Sequence, residues 1–152
     1  MSSKNDPDTE AGVARVRESF EKQGLMKHLG ADLTDARPGF CEITMPYREE
    51  LSQQHGFFHA GGLAAIIDNA GGYAAYSLFG PDDGVLTVEF KINCMAPAKG
   101  EKAVARAEVV RAGRTLTVTK GEVVVVNGRE ETVCALMQQT IMRIVGRDDV
   151  KG

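Results

Sequence analysis

Residues 60–79 read AGGLAAIIDNAGGYAAYSLF, with glycines at 61, 62, 71 and 72, alanines at 60, 64, 65, 70, 74 and 75, and no proline. As one helix, the run spans roughly 30 Å. Its glycines cost helix propensity, and its alanines keep the cylinder thin. A helix that is small and apolar nearly all round belongs inside a protein, with a sheet wrapped closely over it. Between Glu50 and Asp82 the only formal charge is Asp68, in the middle of this helix.

The flanking sequence supplies such a sheet. Val13, Val16 and Phe20 fall on one helical stripe before the punctuating Gly24 and Gly30. Residues 40–45 then alternate, and Pro46 ends them as a strand. In residues 86–94, Leu86, Val88, Phe90, Ile92 and Cys94 alternate with polar residues, which predicts a half-buried strand. Residues 103–111, 114–126 and 132–145 are three further strands, with turns at Gly113-Arg114 and Asn127-Gly128. The expected order is helix, strand, long buried helix, then four strands. Short turns between successive strands imply a mainly antiparallel sheet, an α+β architecture with an N-terminal helix. Residues 1–10 read as a frayed tail, 11–147 as one domain and 148–152 as a C-terminal tail.

Composition narrows the function. A chain of 152 residues carries a core of its own, as a domain that size buries roughly 68–70% of its unfolded surface. A net charge of −3 offers no overall basic surface for nucleic acid or anionic lipid. No run is long and apolar enough for a membrane span, and the N-terminus lacks the build of a signal peptide. Cys41, Cys94 and Cys134 are odd in number and widely spaced, which reads as reduced buried thiols. A cytoplasmic location is the expectation.

Burying an isolated carboxylate costs several kcal/mol even after relaxation. Asp68 is thus either a structural group bonded to nearby hydroxyls or exposed on an uncovered face, or else a functional one. The positions three and four residues away are Ala64, Ala65, Gly71 and Gly72, so no local base pairs with it. An unpaired carboxylate in an apolar helix points to a general base or nucleophile. Ahead of the helix, residues 53–62 pack Gln53, Gln54, His55, His59 and three glycines into a loop. Free backbone N–H groups at such a helix start polarise a carbonyl or hold an oxyanion. His55 and His59 lie across a glycine with no third ligand, so no metal is expected. His59 and Asp68 stand roughly 13 Å apart along one helix. One substrate carbonyl reaches both only if they come from two subunits, as in a two-fold dimer with adjacent antiparallel helices.

The runs GFFHAGGLAAIIDNAGGYAAY, VLTVEFKINCMAPA and VVRAGRTLTVTKGEVVV, within residues 39–145, resemble the hotdog-fold acyl-CoA thioesterases of the phenylacetyl-CoA thioesterase (PaaI) type. The resemblance implies a hotdog fold, a long helix wrapped by a five- to six-stranded antiparallel sheet. It implies dimers or dimers of dimers with sites across the subunit interface. It also implies hydrolysis of acyl- or aryl-CoA, with coenzyme A as part of the substrate and no further cofactor. Asp68 falls on the catalytic carboxylate, as base or nucleophile. Gln53 falls on an Asn that helps hold water and thioester. His59, Ala60 and Gly61 fall on a His-Gly-Gly turn, with the Ala60 N–H as oxyanion donor. Thr87, on the outer face of its strand, matches a hydroxyl near the Asp in some relatives.

Phe57, Phe58, Asn69 and the helix face around Ile66, Ile67 and Tyr73 are candidates for lining the acyl site. Arg111, Arg114 and Lys91 are candidates for the coenzyme A phosphates, Arg114 foremost. Two other functions fit the same fold: an acyl-thioester hydratase or dehydratase pairing His59 with Asp68, and an acyl-CoA-binding sensor. Motifs for a serine hydrolase elbow, a Walker loop or a dinucleotide fingerprint are absent.

Overall fold

The computed structural model describes residues 7–152. Helices α1 (Pro7–Phe20) and α2 (Gly24–Leu29) lead into strands β1 (Asp32–Arg37) and β2 (Phe40–Pro46). A 3₁₀ turn (Glu49–Leu51) and a loop precede the long helix α3 (Ala60–Tyr76). Strands β3 (Gly84–Cys94), β4 (Lys102–Ala112), β5 (Leu116–Asn127) and β6 (Glu130–Ile144) complete the chain. All six strands form one antiparallel sheet in the order β1-β2-β4-β5-β6-β3. Among the described residues, no helix is long and apolar enough to cross a membrane.

The sheet closes on α3 as the glycine and alanine pattern requires. Ile66, Ile67, Ala70, Ala74 and Ala75 are fully buried between helix and strands. Close approach depends on a glycine in the sheet itself. A Cβ at Gly121 of β5 would lie 2.6 Å from Ile67 Cδ1 and 2.7 Å from the Arg106 carbonyl. Burying one such isoleucine contributes about 1.5–3 kcal/mol. On the far face of the sheet, Arg106 bridges Glu42 and Glu131, and Lys120 pairs with Glu108.

The structure corrects several expectations. Residues 1–6 of the expected tail lie outside the described residues, and α1 starts at Pro7, inside that tail. Proline suits a first helical turn, where its fixed φ is helical and its missing N–H loses no bond. The α1 helix then docks at Gly12, where an added Cβ would overlap the Ser77 carbonyl, and Arg15 donates to the Phe79 carbonyl at 2.6 Å. Strand β1, DLTDAR, carries too little apolar alternation to be read as a strand, because it is an edge with only Ala36 buried.

The strand β3 pairs with β6 rather than β4, which makes it the opposite edge. It is not half-buried: Leu86 is 50%, Val88 55% and Phe90 44% exposed. A bulge between Thr87 and Glu89 switches its faces, so that the simple alternation fails. Thr87 stands opposite the buried Ile141, and Phe90 opposite the buried Gln139. Both therefore lie on the helix side of the sheet, Thr87 included, whereas Leu86 faces outward. Cys94 is exposed, while Cys41 and Cys134 are buried free thiols.

Residues 148–152 return to the body of the protein. The Gly152 carbonyl accepts from Lys22 Nζ at 3.3 Å, and Val150 lies against Gly84.

Candidate active site

Helix α3 presents Asp68 toward β3 and β6, where Thr87 and Gln139 meet it. Asp68 is half-buried, and its carboxylate receives two side-chain hydrogen bonds on one oxygen. Thr87 Oγ1 donates to Oδ1 at 2.7 Å. Gln139 Nε2 donates to the same Oδ1 and, at 3.1 Å, to the main-chain carbonyl of Asp68. Oδ2 has no hydrogen bond among the described residues and is not sealed from solvent. Burial pushes the carboxyl above the usual aspartate range, and the bonds from Thr87 and Gln139 pull against it.

A cavity of about 400 Å³ opens onto this carboxylate. Asn69, Gly72 and Tyr73 of α3 form its floor, with Val85, Leu86 and Thr87 of β3 along one side. Ser19 of α1, Lys22 and Gln23 of the turn between α1 and α2, and residues 150–152 complete its lining. The Tyr73 hydroxyl is held by Gln23 Nε2 at 2.7 Å and Ser19 Oγ at 3.1 Å, which ties α1 to the helix beneath it.

The start of α3 is a second polar centre. His59 caps it, with extended backbone (φ −67°, ψ 136°) and Nδ1 accepting from the Gly61 N–H at 2.8 Å. An imidazole that accepts on Nδ1 carries its proton on Nε2. The cap uses the N–H of Gly61, and those of Gly62 and Leu63 turn back to the His59 carbonyl. The Ala60 N–H has no partner among the described residues, and Ala60 is exposed. It is an open donor at the positive end of the helix dipole.

Within one chain these two centres stay apart. The cavity at Asp68 includes none of Gln53, Phe57, Phe58, His59, Ala60, Gly61, Arg111 or Arg114. Gln53 Oε1 accepts from the His55 N–H in a tight turn of the loop. Phe58 is core, edge-on to Tyr47 with ring centroids 5.2 Å apart, and Phe57 is half-buried beside it. Ile66 and Ile67 are core as well, so Tyr73 and Asn69 alone of the expected helix lining reach the cavity. Arg111 and Arg114 are exposed at the β4–β5 hairpin. Lys91 is exposed on β3.

Sequence reasoning missed, among others, Lys22 and Lys151 at the cavity, Gln139 at the carboxylate and Thr119 behind it. Lys22 and Lys151 gave no signal, since their approach depends on how the two ends of the chain fold back. Gln139 did give one: along β6 the inward positions read Ala135, Met137, Gln139, Ile141, a lone polar side chain in a buried row. Thr119, its buried cross-strand neighbour, belongs with it. Among the described residues no cluster of His, Cys, Asp or Glu is arranged to hold a metal ion.

The chain matches the model of the thioesterase superfamily over residues 55–132, which run from the capping loop through α3 into β6. A thioesterase family protein from Silicibacter pomeroyi has a similar crystal structure, with TM-score 0.87 and 46% identity over 89% of this chain and 99% of that one. Human acyl-coenzyme A thioesterase 13 is 35% identical over 88 residues, 57% of this chain and 62% of the relative. The PaaI protein of the Escherichia coli phenylacetic acid degradation operon shares the fold, with TM-score 0.80 at 23% identity over 91% of this chain and 96% of that one.

Proposed function

The chain belongs to the thioesterase superfamily, with the hotdog fold, and is a thioester hydrolase; from that premise we propose that it cleaves acyl- or aryl-CoA to coenzyme A and a carboxylic acid. The observation that carries this reading is Asp68, a lone carboxylate above a cavity, with one oxygen anchored and the other open. Such a group takes a proton from water as the water attacks the thioester carbonyl. The tetrahedral oxyanion then collapses, the C–S bond breaks, and the thiolate leaves with a proton as coenzyme A. Direct attack by Asp68 through an acyl-enzyme anhydride uses the same open oxygen.

The oxyanion donor in this reading is the Ala60 N–H at the start of α3, in keeping with its lack of a partner. That donor stands roughly 12 Å along the helix from Asp68 of the same chain, so each site takes them from two copies. The edge strand β3 supports a homodimer. Eleven residues long and unpaired on one side, it exposes Leu86, Val88 and Phe90, a surface that isolated soluble proteins avoid. Gln53 and His59 contribute from the donor side, His59 by holding the helix start. Asn69, Tyr73 and Thr87 contribute from the Asp68 side. Arg111 and Arg114, together with Lys22 and Lys151 at the cavity, are the cations offered to the coenzyme A phosphates.

The test is release of free coenzyme A from a panel of short, medium, long and aryl acyl-CoAs, wild type beside Asp68→Asn. Hydrolysis by the wild type that disappears in the variant is expected. Equal rates in both remove Asp68 from the mechanism, and acyl-CoA binding without turnover favours the hydratase or the sensor.

A further inference from the structure

We propose that Gln139 is a positioning residue for Asp68, part of a relay from Thr119 that fixes which carboxylate oxygen is free to react; the inference rests on the hydrolase reading above. Gln139 is 1% exposed, an amide in the apolar inner face of β6. Its cross-strand partner Thr119 donates Oγ1–H to Gln139 Oε1 at 2.9 Å. The Asp68 main-chain carbonyl, which can only accept, settles the amide's orientation: Nε2 points at the helix and Oε1 takes the Thr119 hydroxyl. Both N–H bonds of Nε2 then go to one residue, one to Asp68 Oδ1 and the other to the Asp68 carbonyl.

The helix makes room for this contact. A Cβ at Gly71 would overlap Gln139 Oε1 and lie 2.8 Å from Thr119 Oγ1. Gly71 is therefore what allows a buried amide to reach past the helix surface to Asp68. Groups from β3 and β6 thus converge on Oδ1, the β6 amide braced by Thr119 of β5, and Oδ2 is left over. A leucine would fill the same volume as core, so the amide's use is polar. The titratable groups around the cavity are Lys22 in the turn after α1, Tyr73 of α3 and Lys151. None of them bonds the carboxylate.

The experiment uses Gln139→Met, which keeps the length and removes the donor, and Thr119→Val, which releases the amide without touching Asp68. In Gln139→Met, kcat should fall about tenfold to a hundredfold with little change in KM, since misplacing a reacting group by about 1 Å costs that much. In Thr119→Val a smaller fall of the same kind is expected. The acid limb of the pH–rate profile should move upward in both. Carbon-13 titration of the Asp68 carboxyl, assigned with Asp68→Asn, reads the same effect without turnover. Its midpoint should rise in both variants. A midpoint and kcat unchanged in a folded variant would overturn the proposal, and Thr119→Val decides the matter if Gln139→Met does not fold. A raised midpoint in a protein that never hydrolyses acyl-CoA would uphold the positioning role and sink the hydrolase reading alone.

Discussion

The Thr87 hydroxyl on the edge strand donates to Asp68 on the central helix at 2.7 Å, and a β-bulge one residue further along aims it there. Without the bulge, Thr87 and Phe90 would face opposite sides of β3. The bond therefore links the integrity of an exposed edge to the state of a half-buried carboxylate.

Removing that hydroxyl separates its polar role from its shape. Thr87→Val should lower kcat about tenfold while Thr87→Ser keeps most of the activity, because a charge-assisted bond of about 1.5–3 kcal/mol is lost only in the first. Steady-state kinetics on the best substrate of the acyl-CoA panel measure both. Equal rates for Val and Ser would show that the hydroxyl is not used.

Ala60→Pro tests the oxyanion donor with little structural cost. Proline suits the first helical position, and the extended backbone of His59 already matches what a following proline demands. Thermal melting should be close to wild type and hydrolysis should be lost. Mixed and reannealed with Asp68→Asn, the two inactive proteins should regain about a quarter of wild-type activity, as half the dimers are hybrids with one intact site. No recovery in a sample shown to contain hybrids would place donor and carboxylate in the same subunit.

The open edge gives a direct test of assembly. Val88→Lys puts a charge where β3 is unpaired, a substitution that discourages strand addition. Light scattering behind size-exclusion chromatography should show a dimer or larger for the wild type and a monomer for the variant, with activity lost in step. An active monomer would contradict a site shared between copies.

Asp68 also leaves a mark on stability. Its carboxyl is raised chiefly by burial, so the folded protein holds a proton at pH values where the unfolded chain has released it. Stability from this group is therefore complete below the ordinary aspartate value, about 3.9, and falls as pH rises through the folded value. Asp68→Asn, which never ionises, should melt above the wild type at neutral pH, and the difference should close as the pH drops. Melting curves across that range check the sign, and a gap that widens on acidification would refute it.

Much of this was legible in the sequence because the constraints were local. The thin apolar helix, the strands around it and the lone Asp68 follow from residue type and period alone. β1 was hidden by its polarity, which an edge position permits. The faces of β3 were misread because a bulge leaves no trace in an alternating pattern: the period of two in residues 86–94 is real, yet the chain does not follow it through Val88. Gln53, Phe57 and Phe58 are near the helix start as expected, but distance along α3 keeps them from Asp68 within one chain. Lys22 and Lys151 escaped because residues 19–23 and 150–152 meet at the cavity, a contact between residues more than a hundred positions apart.

Because Gln139 grips a main-chain carbonyl as well as a carboxylate, α3 is keyed to the sheet against sliding and against turning about its axis. The cavity cannot be enlarged by shifting that helix without giving up the carboxylate's aim. Its other walls, from residues 19–23 and 150–152, hold none of the groups bonded to Asp68. Substrate size is thus free to drift through the two ends of the chain while the reacting group keeps its place, a division of labour that lets evolution retune one without relearning the other.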